Sequence, residues 1–478
     1  MEDLARPRLA TLLALVLALA APAAADAAGA PHVDSLVRAD GTTVIRFVAP
    51  QGEDNEVTMR VRAEELDPYK RQQGLREDTG VDFYDAGVDG LTWSGPLCRP
   101  QATGVGCDVA GSKVEIRVTL GDRDDFLIPE YDSRRSTRAI VNAGAGNDGL
   151  QVRGTARTAI DFTGGPGSDA VDYYDPSNVP YAFTEDALFN DGLGLDRIHG
   201  DVEVYLGGDG PDSFKLRGPG PHVVFGVGGD DTLVSGSGPD EFDGGYGGDP
   251  TGVDPPSSDT VTYAGRGAGV TVTLDGVADD GAPREGDEIL PTVEHVVGTA
   301  HPDTLVGPAA VPDRRSYELD GGAGNDVLSG GVGTDLIDAG AGDDVVFTLA
   351  GSGDAIKCGA GSDLLVADRA DLSRDCERVW RSFLNAAPAQ RGHAVAATLA
   401  VPAPNATVTA TLLSGAARLG ARTATAGAGL RALAVPLDAA GVQALQTAGS
   451  LALTLRVQVA PAGRKALVAS RPVTLSAG

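Results

Sequence analysis

The sequence predicts an all-β protein: a right-handed parallel β-roll, or β-solenoid, of nonapeptide repeats, followed by an immunoglobulin-like β-sandwich. Three observations predict it. Between Gly321 and Asp363 the chain counts in nines, placing Asp326, Asp335, Asp344, Asp354 and Asp363 at intervals of nine, nine, ten and nine. The 478 residues include 66 glycines and only 5% aromatics, which argues against a core of large side chains but suits a thin solenoid whose coils touch only their neighbours. Beyond Arg391 the pattern changes to longer alternating runs such as AVAATLAV, ATVTATLL and LALTLRVQV, separated by Gly, Pro, Ala and Asn turns at the spacing of a sandwich.

Each repeat divides into a six-residue turn and a three-residue strand. Gly322, Gly324, Gly331, Gly333, Gly340 and Gly342 fall in turns, where a residue without Cβ reaches φ > 0 freely and leaves its carbonyl bare. An aliphatic follows two residues after most of the aspartates, and Leu328, Ile337, Val346, Ile356 and Leu365 are expected to point inward. Two repeats make one coil, so Asp326 is expected beneath Asp344 and then Asp363, with Asp335 beneath Asp354. Stacked carboxylates repel unless a cation lies between them. Calcium suits such a turn because it takes six to eight oxygens from carboxylates and carbonyls.

The GGAGNDVLS and GGVGTDLID repeats resemble the hemolysin-type (RTX) calcium-binding repeat family, whose parallel β-roll holds Ca2+ between successive GGxGxD turns. The resemblance covers Asp122 to Val379, and the GEDNEV segment, a cysteine pair and LGDRDDFLI are similar to the amino end of actinobacterial-type secreted members. It implies metal ligation by the five aspartates and six glycines named above, and by Asp231, Asp240 and Asp249 of GVGGDDTLVSGSGPDEFDGGYGGD, again spaced by nine. Asp303 stands in a G-T-A-x-x-D-T-L turn directly after Pro302, which removes a backbone donor and argues against metal there. Asp344 is expected to matter more than Asp148, which has no repeat eighteen residues away. Two other readings compete. A flexible linker needs low hydrophobicity and no register, contrary to the aliphatic spacing. A solenoid stacking Asp and Asn by hydrogen bonds without metal stays open for the less regular turns.

The organisation follows in order. Residues 1–27 carry Arg6 and Arg8, an apolar run from Leu9 to Leu19 and small residues ending Ala25, Asp26 and Ala27, the form of a secretory signal; retained, the same run could just span a membrane. Residues 28–135 are read as an N-terminal β capping segment, 136–384 as the calcium-binding roll and 385–478 as the sandwich, with a short helix from the N-cap Asp438 to Gly449. Cys98, Cys107, Cys358 and Cys376 form no C-x-x-C motif, so disulfides are expected; three connectivities are open, and local pairing, Cys98 with Cys107 and Cys358 with Cys376, is favoured because each closes a short loop where a solenoid end would fray.

Net charge is −29, and its distribution is uneven: from Asn385 onward there are seven Arg and Lys465 against the single acid Asp438, so this tail is +7 and the rest −36. Such an acidic solenoid repels phosphate, which disfavours nucleic acid, and no membrane partner is expected after signal removal. The chain has no H-E-x-x-H, no G-x-S-x-G and no P-loop, and GAGNDG at Gly144, Gly146 and Gly149 leads into a strand pattern instead of a helix. Residues 30–130 contain candidates for a paired-acid hydrolase such as Glu64, Glu65 and Asp82, but there are few aromatics to line a sugar cleft. The expectation is therefore a secreted, non-enzymatic calcium-binding protein. An adhesin using the basic sandwich to bind cell-envelope polysaccharide is the alternative, and a roll-linked hydrolase the third.

Overall fold

A computed structural model of the chain describes residues 30–52, 54–63, 79–85, 91–101, 104–109, 113–132, 137–152, 158–173, 182–185, 196–245, 257–310, 316–349, 353–368, 370–462 and 464–477. The predicted signal segment, Glu64, Glu65 and Asp249 lie outside them. The chain divides into two compact units, Met1–Asp259 and Thr260–Gly478.

The first unit begins antiparallel and turns parallel. Strands His32–Val37 and Thr43–Val48 form a hairpin, while Glu56–Ala63 pairs with Thr79–Asp85, which continues through Gly104–Asp108 to Cys98–Gln101. Thr43–Val48 then starts a parallel stack with Val114–Gly121, Thr137–Gly144 and Thr158–Thr163. Glu56–Ala63 starts a second stack that runs through Phe126–Asp132, Gly149–Gln151, Ala170–Asp172, Val204–Leu206, His222–Phe225 and Asp240–Asp243. The strands alternate as the pleat requires. Val114–Gly121 buries Val114, Ile116, Val118 and Leu120 and turns Glu115 and Arg117 outward. The Phe47 and Phe83 rings, one from each stack, lie stacked at 5.4 Å between centroids.

The second unit is more regular. One parallel stack contains Thr260–Thr262, His295–Val297, Glu318–Asp320, Leu336–Asp338, Ala355–Lys357 and Leu372–Arg374; the other contains Thr271–Thr273, Thr304–Val306, Val327–Ser329, Val345–Thr348, Leu364–Ala367 and Arg378–Trp380. Every expected inward aliphatic is inward: Leu328, Ile337, Val346, Ile356 and Leu365 are all buried. Two such side chains per coil supply about 1.5–3 kcal/mol each by burial, so no single coil holds a core and each needs its neighbours.

Residues from Leu384 onward form two facing sheets. Leu384–Asn385, Ala394–Val401 and Gly429–Pro436 make the smaller one; Ala389–Arg391, Leu467–Ser476, Ser450–Ala460, Ala406–Ser414 and Ala417–Ala426 make the larger. The helix forms over Ala439–Ala448, with Asp438 accepting the Gly441 N–H at its start and Gly449 left-handed at φ 72° at its end. The compact unit does not break at residue 385. Val345, Phe347, Leu364 and Val366, the outward residues of two roll strands, are buried in the same cluster as Leu399, Val401, Val408, Leu433, Leu455 and Val457 of the sandwich. Those two strands are buried on both faces, unlike Glu318–Asp320 and Leu336–Asp338, which bury only their middle residue.

Disulfides join Cys98 to Cys107 and Cys358 to Cys376. Among the described residues no helix is long and apolar enough to cross a membrane.

Candidate metal centre

The turn aspartates form hydrogen-bonded ladders. Asp326 Oδ1 accepts the N–H of Asp303 at 2.8 Å, Asp344 Oδ1 that of Asp326 at 2.8 Å, and Asp363 Oδ1 that of Asp344 at 3.0 Å. Glu377 closes this ladder by accepting the Asp363 N–H at 2.8 Å. On the other side Asp335 accepts the Tyr317 N–H at 3.2 Å and Asp354 the Asp335 N–H at 2.9 Å. The stacking register expected for Asp326, Asp344 and Asp363, and for Asp335 and Asp354, is the one observed. An outer rank runs beside the first ladder: Asn325 accepts from Asp343 and Asp343 from Ser362, both at 2.9 Å.

Each ladder carboxylate has one oxygen in use and one idle. Oδ2 of Asp326, Asp335, Asp344, Asp354 and Asp363 is buried and has no hydrogen-bond partner. An unpartnered buried anion is expensive, and the side chain responds by holding its proton. Burial, reinforced by neighbouring carboxylates and opposed by the N–H each accepts, pushes Asp326 and Asp335 up to about 7 and Asp344 and Asp354 to about 6; it raises Asp363 as well.

The glycines let one turn stack closely on the next. Gly322, Gly324, Gly331, Gly333, Gly340 and Gly342 all have positive φ, from 84° to 147°. Their successive turns approach so closely that a Cβ on Gly340 would lie 2.0 Å from the Gly322 carbonyl oxygen, and one on Gly342 only 1.4 Å from that of Gly324. Only glycine permits this contact. Among the described residues no three His, Cys, Asp or Glu side chains converge as a metal cluster. A cation in these turns would therefore draw much of its coordination from backbone carbonyls. A donor set of carbonyls and idle buried carboxylate oxygens fits a hard cation such as calcium and does not fit a thiolate- or imidazole-seeking metal.

The first unit contains a ladder that nine-residue counting underrates. Asp125 Oδ1 accepts from Asn55 N–H, Asp148 Oδ1 from Asp125 and Asp169 Oδ1 from Asp148, each at 2.8 Å, and Glu203 accepts from Asp169. Oδ2 is again idle on Asp125, Asp148 and Asp169. Asp148 thus has stacked partners on both sides, at 23 and 21 residues, which corrects the expectation that it stands alone. The intervening residues lengthen the coil without moving the turn. The signal available in the sequence was the G-x-G-x-D spelling of NAGAGND and TGGPGSD, not the interval between them.

Among the remaining expected ligands, Asp231 has an idle Oδ2, and burial pushes it to about 9. Its N–H is accepted at 2.8 Å by Asp259, 28 residues on. Asp240, expected as a ligand, has its Oδ2 accepting the Gly236 N–H at 2.8 Å and its Oδ1 beside His222 Nδ1 at 2.8 Å. Asp212 and Asp303 are consumed in the same way, by Gly208 N–H and by the N–H groups of Val270 and Thr299. Asp303, after Pro302, accepts these protein donors on both of its oxygens.

A family model for the RTX calcium-binding nonapeptide repeat matches the chain in four copies, over residues 225–249 and 319–354. The chain thus carries calcium-binding repeats, and the second matched block contains the ladder aspartates from Asp326 to Asp354. Comparison with curated proteins returns no match.

Proposed function

We propose that the chain is an exported protein whose glycine and aspartate turns take up Ca2+ outside the cell and fold on it, in a structural or binding role. The observation that carries this reading is the row of buried, partnerless Oδ2 atoms on Asp326, Asp335, Asp344, Asp354 and Asp363, with Asp231 in the first unit. In the assignment these carboxylates hold the ion together with carbonyls of the Gly322, Gly324, Gly331, Gly333, Gly340 and Gly342 turns; calcium supplies the positive charge that stacked carboxylates otherwise lack. Asp326, Asp344 and Asp363 orient one another through their N–H to Oδ1 bonds, which fixes each idle oxygen toward the turn. The apolar strands then pack only once the charge of −36 borne by residues 1–384 is compensated.

Calcium titration of the full chain, followed by circular dichroism and hydrodynamic radius, tests it. A cooperative gain of β-signal with compaction is expected, reversed by chelator. Equal signal and equal radius in calcium and in excess chelator would refute it.

A second reading is favoured by the charge split. Beyond Asn385 the sandwich has eight cationic residues against Asp438, and its larger sheet exposes Thr407, Thr409, Thr423, Thr425 and Arg456. This reading makes the sandwich an adhesin module for acidic envelope polysaccharide, with the roll as spacer. It requires full-length protein to bind such polymers at low salt and to release them as salt rises; no retention at low salt would remove it.

A further inference from the structure

The row of turns that carries Asp335 and Asp354 continues beneath them. The residues that close its turns offer their carbonyls to the next coil: Glu294 O takes the Glu318 N–H at 2.7 Å, Tyr317 O that of Leu336 at 2.8 Å and Asp335 O that of Ala355 at 2.8 Å. Tyr317, 1% exposed, therefore stands where the row calls for an aspartate. Its turn opens at Gly307 and lies directly against the next one, since a Cβ on Gly307 would lie 2.0 Å from Gly330 O and one on Gly331 2.4 Å from Pro308 O. The close stacking thus runs on to Gly307, although the carboxylate that would share a cation there is missing.

A cation is present nonetheless. Arg464, in the turn between strands Ser450–Ala460 and Leu467–Ser476 of the sandwich, donates from Nη2 to the Gly307 carbonyl, 157 residues away. Its side chain is half-buried, and Asp275, which follows strand Thr271–Thr273 of the preceding coil, is the carboxylate whose charge acts on it. Both partners are held in place from behind. The Gly307 N–H bonds Ser329 O at 2.7 Å, and Leu467, three residues after Arg464, packs with Val327 against the core shared by roll and sandwich. A guanidinium keeps its charge throughout the range in which proteins fold and is more weakly hydrated than an ammonium, so it suits a partly buried cation position.

We propose that Arg464 is a tethered cation that serves the Gly307 turn in place of calcium and thereby latches the sandwich to the roll. The inference rests on the calcium reading of the turns stacked on Gly307. There positive charge comes from Ca2+ in solution; at Gly307 the chain supplies it, from a module of net charge +7 to a segment of −36. Charge-assisted hydrogen bonds are stronger than neutral ones, and this one joins two elements far apart in sequence. The latch holds without metal, and the metal-binding part of this row ends where it closes.

Hydrogen exchange of the full chain at saturating calcium tests it, in wild type, Arg464→Gln and Arg464→Lys. Arg464→Gln should quicken exchange in Thr304–Val306 and Leu467–Ser476 about tenfold, the loss of a hydrogen bond to a charged group, and leave Ala355–Lys357 unchanged. Arg464→Lys keeps the charge and a donor and should stay near wild type. Under graded chelator Thr304–Val306 should open after Val327–Ser329 in wild type, and the delay should shrink in Arg464→Gln. Wild-type exchange in Arg464→Gln, equal quickening in Arg464→Lys, or a delay that is absent or unchanged overturns the proposal. Calcium counted by native mass spectrometry keeps the two readings apart: a wild type that binds none removes the calcium reading, while the exchange data still judge the latch. If Arg464→Gln does not fold, Arg464→Lys decides alone, and quickened exchange refutes the cation.

Discussion

The coils at residues 319–367 and those at 121–173 solve one problem with different spacing. In the later coils Asp326, Asp344 and Asp363 recur at 18 and 19 residues; in the earlier ones Asp125, Asp148 and Asp169 recur at 23 and 21. The turn chemistry is nevertheless the same. A Cβ on Gly144 would lie 1.9 Å from Gly121 O, as one on Gly359 would lie 1.8 Å from Gly340 O, and the outer rank of Asp124 and Asn147 repeats that of Asn325 and Asp343. The difference teaches that a solenoid fixes its turn and lets strand length vary, from seven and eight residues in Phe126–Asp132 and Thr137–Gly144 to three in Val327–Ser329, because a displaced carboxylate leaves a buried charge unpaired.

Chelation offers the harshest way to break this comparison. Strands beside idle carboxylates, Gly149–Gln151, Val327–Ser329 and Val345–Thr348, should lose hydrogen-exchange protection when calcium is withdrawn, in both units. Thr304–Val306, preceded by the consumed Asp303, should lose it later. Uniform loss at one chelator concentration would mean that satisfied and unsatisfied coils unfold as one body.

Removing the roll from beneath the sandwich comes next. Residues 388–478 alone lack Val345, Phe347, Leu364 and Val366, which complete their core; the fragment should therefore be molten or aggregated. In the full chain Phe347→Ala should cost about 3–5 kcal/mol. A folded, cooperative fragment would show that the shared core is dispensable.

Single rungs give a smaller effect and sharpen the comparison directly. Asp148→Asn and Asp344→Asn keep an amide oxygen for the ladder bond but remove the charge, and each should reduce bound calcium measured by native mass spectrometry. Asp212→Asn, where Oδ2 already accepts Gly208 N–H, should lose none. Loss from Asp344→Asn alone would return the earlier coils to a metal-free description.

The mildest perturbation is pH. Asp125, Asp148, Asp326 and Asp335 are pushed to about 7 and Asp169 to about 8, mainly by burial, above the value of about 3.9 in an unfolded chain. Carboxylates raised in this way bind more protons folded than unfolded. The calcium-free fold should therefore be most stable in acid and lose stability as pH rises from about 4, the unfolded value, to about 8, above the folded ones. Calcium binding should release protons there, visible as buffer-dependent heat in calorimetry, and its apparent affinity should rise with pH. Buffer-independent heat would show the carboxylates already ionised.

The sequence by itself determined the parts governed by local rules. Nine-residue spacing placed the inward aliphatics from Leu328 to Leu365, glycines marked positive φ, and Asp438 and Gly449 bounded the helix, because each depends on a few neighbouring residues. Tertiary structure decided the rest. Asp148 acquired its partners, Asp231 was paired with Asp259, and Asp240 was set beside His222 by coils 18 to 28 residues away. The sandwich likewise took part of its core from Phe347 and Leu364. Which carboxylate oxygen is left idle depends on the N–H groups that the next coil brings against it, and no local spelling of a turn records that.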